Sequence, residues 1–157
     1  MLLNSVLNWK RYKMVSVRHV GIVVKNVEKC LKFYQELLEL EVVADMLEHG
    51  DYIDNFSNLE NVKVRTVKMK DHNGGMVELL CYHSHPPTLE PLSLPINVYG
   101  CSHVAFTVDD LEMEYNRLQK AGIKFNSPPQ FSPDGKAKVT FCRDPEGCLI
   151  ELVEELK

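Results

Sequence analysis

A chain of 157 residues is one domain's worth, long enough to bury a core without disulfide or metal staples. Its formal net charge of −4 weighs against electrostatic binding to nucleic acid or an anionic membrane, and no apolar run approaches the length that spans a bilayer. The cysteines Cys30, Cys81, Cys101, Cys142 and Cys148 are odd in number and lack C-x-x-C spacing, so they read as small core residues of a reducing, cytoplasmic setting.

Residues 1–13 mix Leu2, Leu3, Val6, Leu7 and Trp9 with Lys10, Arg11 and Lys13, without the order of a secretory signal. They read as an N-terminal extension: a short added helix, or a stretch upstream of a start at Met14. The β-branched run 15–24 predicts a strand, with Asn26 as the cap of a following helix. Val27, Cys30, Leu31, Tyr34, Leu37 and Leu38 then fall at the spacing of one buried helix face. A strand is expected over 41–46. The polar, poorly periodic stretch 47–59 reads as a loop or short strand, and 62–69 and 76–82 as further strands. Pro86, Pro87, Pro91 and Pro95 mark a linker. Beyond it come a strand over 101–108, a helix capped by Asp109 with Glu112, and a stop at Gly122. Leu111, Tyr115, Leu118 and Ala121 line that helix. A short strand at 123–125, a Pro-rich loop at 127–135, and strands at 138–143 and 148–154 complete the chain. The reading is a single domain over 14–157, with module 1 at 14–85, a linker at 86–99 and module 2 at 100–157. Each module is β-α-β-β-β.

The two modules repeat one another. His19 to Glu28 matches His103 to Glu112 position for position, and the Asp71, Gly74, Glu78 phrase recurs as Asp144, Gly147, Glu151 with the same spacing. In the second phrase Pro145 and Gly147 make a turn that feeds an apolar strand carrying Glu151. A carboxylate in such a run needs a charged partner, hydrogen bonds or a metal, because burying it alone is costly. Side chains alternate along a strand. If the first and last strands of each module lie side by side, each module therefore offers one His and one Glu on one face. One such His alone is ordinarily a satisfied core residue; the mirrored set His19, Glu78, His103 and Glu151 suits one divalent transition metal with positions left open for substrate. His49, His72, His83 and His85 read as surface residues.

The duplicated pattern resembles the vicinal oxygen chelate superfamily, which includes glyoxalase I, methylmalonyl-CoA epimerase, extradiol dioxygenases and bleomycin or fosfomycin resistance proteins. The residues that carry it are the His19 strand with Phe33-Tyr34, the stretch 100–108, and the Phe-x-x-Asp-Pro-x-Gly-x-x-x-Glu phrase from Phe141 to Glu151. The resemblance implies an α+β fold of two βαβββ modules forming a cupped mixed sheet around a metal site. The His, Glu, His, Glu set is similar to that of metal-dependent glyoxalase I, which implies a lyase or isomerase moving a proton next to a carbonyl through a metal-stabilised enediolate. Glu151 and Glu78 are then the catalytic carboxylates, the ion is Ni, Co, Zn, Mn or Fe, the substrate is a small carbonyl compound or thiol adduct, and the assembly is a homodimer. An acyl thioester epimerase and a non-catalytic binding protein of the bleomycin-resistance kind are the alternatives. Where glyoxalase I holds glutathione with Arg and Asn, this chain has Val23 and Tyr82, and the strand at 62–69 lacks the separate acid of the epimerases. Arg65, Lys136 and Arg143 could bind a substrate anion, but each such residue is more often a solvated surface charge.

Overall fold

The structure is a computed structural model and describes residues 16–88, 95–97 and 99–157. The expected N-terminal extension, and the part of the linker that holds Pro91, lie outside the described residues. Module 1 runs β1 (Val20–Val23), α1 (Val27–Leu31), a π-helical turn (Lys32–Leu37), β2 (Glu41–His49), α2 (Asp51–Ser57), β3 (Lys63–Lys70) and β4 (Met76–Tyr82). Module 2 runs β5 (Val104–Thr107), α3 (Leu111–Lys120), β6 (Gln130–Phe131), β7 (Ala137–Arg143) and β8 (Leu149–Glu155). Each half is a four-stranded mixed sheet, in the orders β1-β4-β3-β2 and β5-β8-β7-β6. The first and last strands of each half pair in parallel, β1 with β4 and β5 with β8, and the other pairings are antiparallel.

Several expectations are corrected. Residues 47–59 are neither loop nor short strand: β2 continues to His49 and α2 follows. The polar face of α2 hid it, because one buried side chain, Ile53, anchors so short a helix. The first helix turns π-helical, with Leu38 N–H reaching the Phe33 carbonyl at 2.9 Å. The wider turn buries the adjacent Phe33 and Tyr34 together, ring against ring edge at 5.0 Å, while Leu31, Leu37 and Leu38 are only partly buried. An α-helical wheel separates adjacent residues by about 100° and so misses Phe33. The cap of α3 is Asp110, not Asp109: its carboxylate accepts from Met113 N–H at 2.9 Å, mirroring Asn26 on Lys29 N–H at 2.9 Å. Phe125 makes an isolated bridge to Cys142, and a short strand lies instead at Gln130–Phe131, inside the stretch read as loop. Cys101 is exposed, whereas Cys30, Cys81 and Cys142 are buried; all five cysteines are free thiols.

The repeated Asp-x-x-Gly phrase has one structural use in both halves. Asp71 Oδ1 accepts from the backbone N–H groups of Asn73 and Gly75, each at 2.8 Å. Asp144 Oδ1 accepts from those of Glu146 and Cys148, at 2.9 and 2.8 Å. The turns leave through Gly74 (φ 91°) and Gly147 (φ 98°), in left-handed backbone that favours glycine. The halves differ in the second oxygen. Asp144 is buried and its Oδ2 accepts from the hydroxyl of the fully buried Tyr34, at 2.8 Å. Glu146 and the Pro145 carbonyl accept from Lys25 N–H and Lys29 Nζ, at 2.9 and 3.0 Å. The turn before β8 thus docks the first helix of the other module, and one apolar core runs from Val27, Phe33 and Leu79 through to Leu111, Leu118 and Leu152.

Burial raises the pKa of Asp144, and the hydrogen bonds from Tyr34 and the turn N–H groups work in the opposite direction. A folded-state pKa above the unfolded value means that this group's contribution to stability is lost as pH rises through the folded pKa. Tyr34→Phe removes the one side-chain donor to the carboxylate among the described residues and is expected to cost ~2 kcal/mol in urea unfolding at neutral pH. The deficit should shrink in acid, where Asp144 is protonated in the folded protein. An equal deficit at both pH values would refute this account.

Candidate metal centre

The parallel pairings place the predicted residues. Gly21 stands opposite Glu78 and Ala105 opposite Glu151, so His19 and His103, two residues earlier on the same face, lean toward those carboxylates. His19 Nε2 lies 3.2 Å from Glu78 Oε2, and His103 Nε2 lies 3.0 Å from Glu151 Oε2. Gly21 and Ala105 are the smallest residues available, and both are exposed, which keeps the space over each carboxylate clear. Both pairs lie on the face opposite the shared core, since Val77, Leu79, Ile150 and Leu152 alternate with the two glutamates and are buried in it.

The rings are held differently. Ser102 Oγ meets His103 Nδ1 at 2.7 Å, and the Phe141 ring stands edge-on to the imidazole at 5.4 Å. His19 Nδ1 is buried and has no hydrogen-bond partner among the described residues, although the side chain is one-third exposed. Its accessible chemistry is therefore at Nε2. Two donors bound at about 2.1 Å and subtending 90–109° at a metal ion lie about 3.0–3.4 Å apart. The two His–Glu separations fit that demand, and imidazole with carboxylate suits first-row divalent ions.

The four side chains do not converge within the described chain: no three His, Cys, Asp or Glu groups gather around one point among the described residues. His19 opens onto a cavity of about 650 Å³ whose far wall is the Val104–Asp110 stretch. His103 opens onto a second, of about 270 Å³, walled by Val20–Val23 and Arg143. The result is two half-sites.

Two residues of the open face escaped the sequence reading. Thr66, buried on β3, donates to Glu48 Oε2 at 2.6 Å, which brings an acid of β2 onto the strand that carries none of its own. Lys68, opposite Glu78 in the register, holds Nζ 3.3 Å from Glu78 Oε1. Only cross-strand register reveals either. Ile53 of α2 covers the far end of this face, packed with Val62, Val64, Leu80 and Tyr82. Tyr82 therefore serves packing, while Val23 is exposed.

The cations considered earlier resolve by position. Arg65 is turned to the other face and engaged by Asp45, at 2.8 and 2.9 Å, and by Glu28, which raises its pKa further. Lys136 is exposed, and Arg143 donates to the Gly147 carbonyl at 2.7 Å beside the His103 cavity. His49, His72, His83 and His85 are exposed, although His49 ends β2 rather than lying in a loop.

Comparison with known proteins agrees with the topology. Residues 16–152 match the glyoxalase/bleomycin resistance protein/dioxygenase superfamily, and the chain belongs to it. It is 26% identical over 157 residues to a lactoylglutathione lyase of Schizosaccharomyces pombe, covering 96% of this chain and 50% of that protein. It is 28% identical to an uncharacterised protein of Bacillus subtilis, covering 89% of this chain and 97% of the relative. The crystal structure of a glyoxalase family protein from Bacillus cereus matches 94% of this chain and 99% of its own, at a TM-score of 0.84 and 25% identity. The chain thus spans about half the length of the lyase and nearly all of the bacterial proteins. The superfamily includes many enzymes and typically binds a divalent metal and small molecules. Among the described residues no helix is long and apolar enough to cross a membrane.

Ile53→Ala empties the anchor of α2 and is expected to cost about 3 kcal/mol. Faster amide hydrogen exchange confined to residues 51–57 would accompany it; unchanged exchange there would show that the helix is held otherwise.

Proposed function

We propose that this chain is a metal-dependent lyase or isomerase of the glyoxalase I type, which moves a proton next to the carbonyl of a small carbonyl compound or thiol adduct. The observation that carries the reading is the pair of mirrored His–Glu contacts, each at the donor spacing a divalent ion requires. His19, Glu78, His103 and Glu151 would hold the ion, one of Ni, Co, Zn, Mn or Fe. Since each chain presents two half-sites, the complete set calls for module 1 of one copy and module 2 of another, in a two-fold homodimer. The chemistry such an ion supplies is Lewis-acid relief of the negative charge that develops on a carbonyl oxygen.

The chain's own groups do the rest. Glu151 is the candidate base: its cross-strand neighbour Phe141 is apolar, and among the described pairs its partner is the His103 imidazole. Glu78, its mirror, returns the proton from the other side. Val23 and Tyr82 supply no charge at the positions where glyoxalase I anchors glutathione, which favours a smaller adduct. Glu48, held on this face by Thr66, favours acyl thioester epimerisation as the second reading, because that reaction takes a proton from one side and returns it to the other.

Purified protein should carry one divalent ion per chain, and the His103→Ala, Glu151→Ala double variant should carry none by elemental analysis. Glu151→Gln should retain metal and lose turnover by at least ~100-fold. Full turnover in Glu151→Gln, or no uptake of added nickel, cobalt, zinc or manganese by the native protein, would end the proposal. Mixing inactive His19→Ala and Glu151→Ala chains should restore activity toward one quarter of the native value if sites are shared between copies. No recovery after verified subunit exchange would place each site within one chain.

A further inference from the structure

The pseudo-symmetry of the two half-sites fails beside the carboxylates as well as at the imidazoles. The residue opposite Glu78 across the antiparallel pair is Lys68, and the residue opposite Glu151 is Phe141. The Glu78 carboxylate is therefore engaged at both oxygens, Oε2 by His19 and Oε1 by Lys68, whereas Glu151 is engaged by His103 alone among the described pairs. The Lys68 side chain is about one-third exposed, so the pair it makes with Glu78 lies at the edge of open space and not sealed in the core. Arg65 is committed to the opposite face by two carboxylates. Arg143 stands at the rim of the His103 cavity, but among the described pairs only Glu78 has an ammonium directly beside its carboxylate.

That charge has a consequence for any ligand. The Glu78 carboxylate, shared between an ammonium and a metal cation, divides one negative charge between two cations, and the repulsion left over is strong at such range where solvent is scarce. A second anion lying between them offsets what Glu78 leaves. A neutral carbonyl compound leaves it in place. We infer that Lys68 is the specificity-determining residue of this site and selects a substrate whose carbonyl is flanked by a carboxylate, with that carboxylate on the module 1 side, against Lys68. The inference rests on the metal-dependent reading above and adds the substrate class. The module 2 side, lined by Phe141, receives the part of the substrate that loses its proton.

Pyruvate and its neutral methyl ester are the probes. Dissociation constants are measured by calorimetry on the native protein, Lys68→Met and Lys68→Arg, each loaded with Mn(II), with Mn(II) affinity read separately from the resonance of the free ion. Native protein should bind pyruvate at least about tenfold more tightly than the ester, the preference expected of one charge-assisted hydrogen bond. Lys68→Met should lose the preference while keeping its melting temperature and binding Mn(II) as tightly or more so, and Lys68→Arg should keep much of the preference. A native protein that does not distinguish acid from ester, or a Lys68→Met variant that still does, overturns the inference. Failure of all three proteins to take up Mn(II) would instead count against the metal reading. The acid–ester comparison on metal-free protein then still decides whether Lys68 selects the anion.

Discussion

The buried carboxylate of Asp144 is the constraint on which most of this molecule depends. A carboxylate can leave water only if its lone pairs are met by donors. Asp144 meets them from two directions at once: backbone N–H groups of its own turn on one oxygen, and the Tyr34 hydroxyl of the other module on the second. The first set of bonds shapes the turn that aims β8 and so fixes the register of Glu151. The second ties that turn to the first helix of module 1. Local chain geometry and module packing are therefore solved by one side chain. Its half-buried counterpart Asp71 solves only the first.

The same division recurs across the duplication. Backbone features are repeated faithfully: parallel β1/β4 and β5/β8 pairs, side-chain caps at Asn26 and Asp110, and glycines in left-handed backbone at 74 and 147. What differs is the surroundings of the repeated chemical groups. Ser102 holds one imidazole where the other has an orphaned nitrogen, and Phe141 faces one glutamate where Lys68 faces the other. Duplicated folds keep what the chain must satisfy locally and are free to vary what a substrate meets.

Membership of the glyoxalase/bleomycin resistance protein/dioxygenase superfamily does not by itself choose an activity, because the site and not the fold carries function. The lyase of Schizosaccharomyces pombe is a distant and longer relative. The residues that would hold glutathione are an exposed valine and a tyrosine committed to packing beneath α2. On the open face Lys68 stands beside Glu78, and Glu48 accepts from the buried Thr66.

The sequence by itself determined the duplication, the βαβββ order shared by the two halves and the identity of the two His–Glu pairs. These follow from local rules: alternation along strands, the turn chemistry of Asp-x-x-Gly, and spacing that repeats between halves. Even the position of the second helix cap was implicit, since Asp110 stands where Asn26 stands in the first copy. Local rules fail where two segments distant in sequence meet. A helical wheel could not anticipate the π-helical turn that buries Phe33 beside Tyr34, because the demand for it comes from the core shared with the other module. Composition hid α2, whose one anchor, Ile53, is buried only because Val62, Val64 and Leu80 lie beneath it. Lys68 beside Glu78 and Glu48 on Thr66 are likewise products of cross-strand register, which no single strand encodes. Only the tertiary structure decided that the two pairs stand apart as half-sites, since the distance between side chains on separate sheets is set by how the modules dock and not by anything within either one.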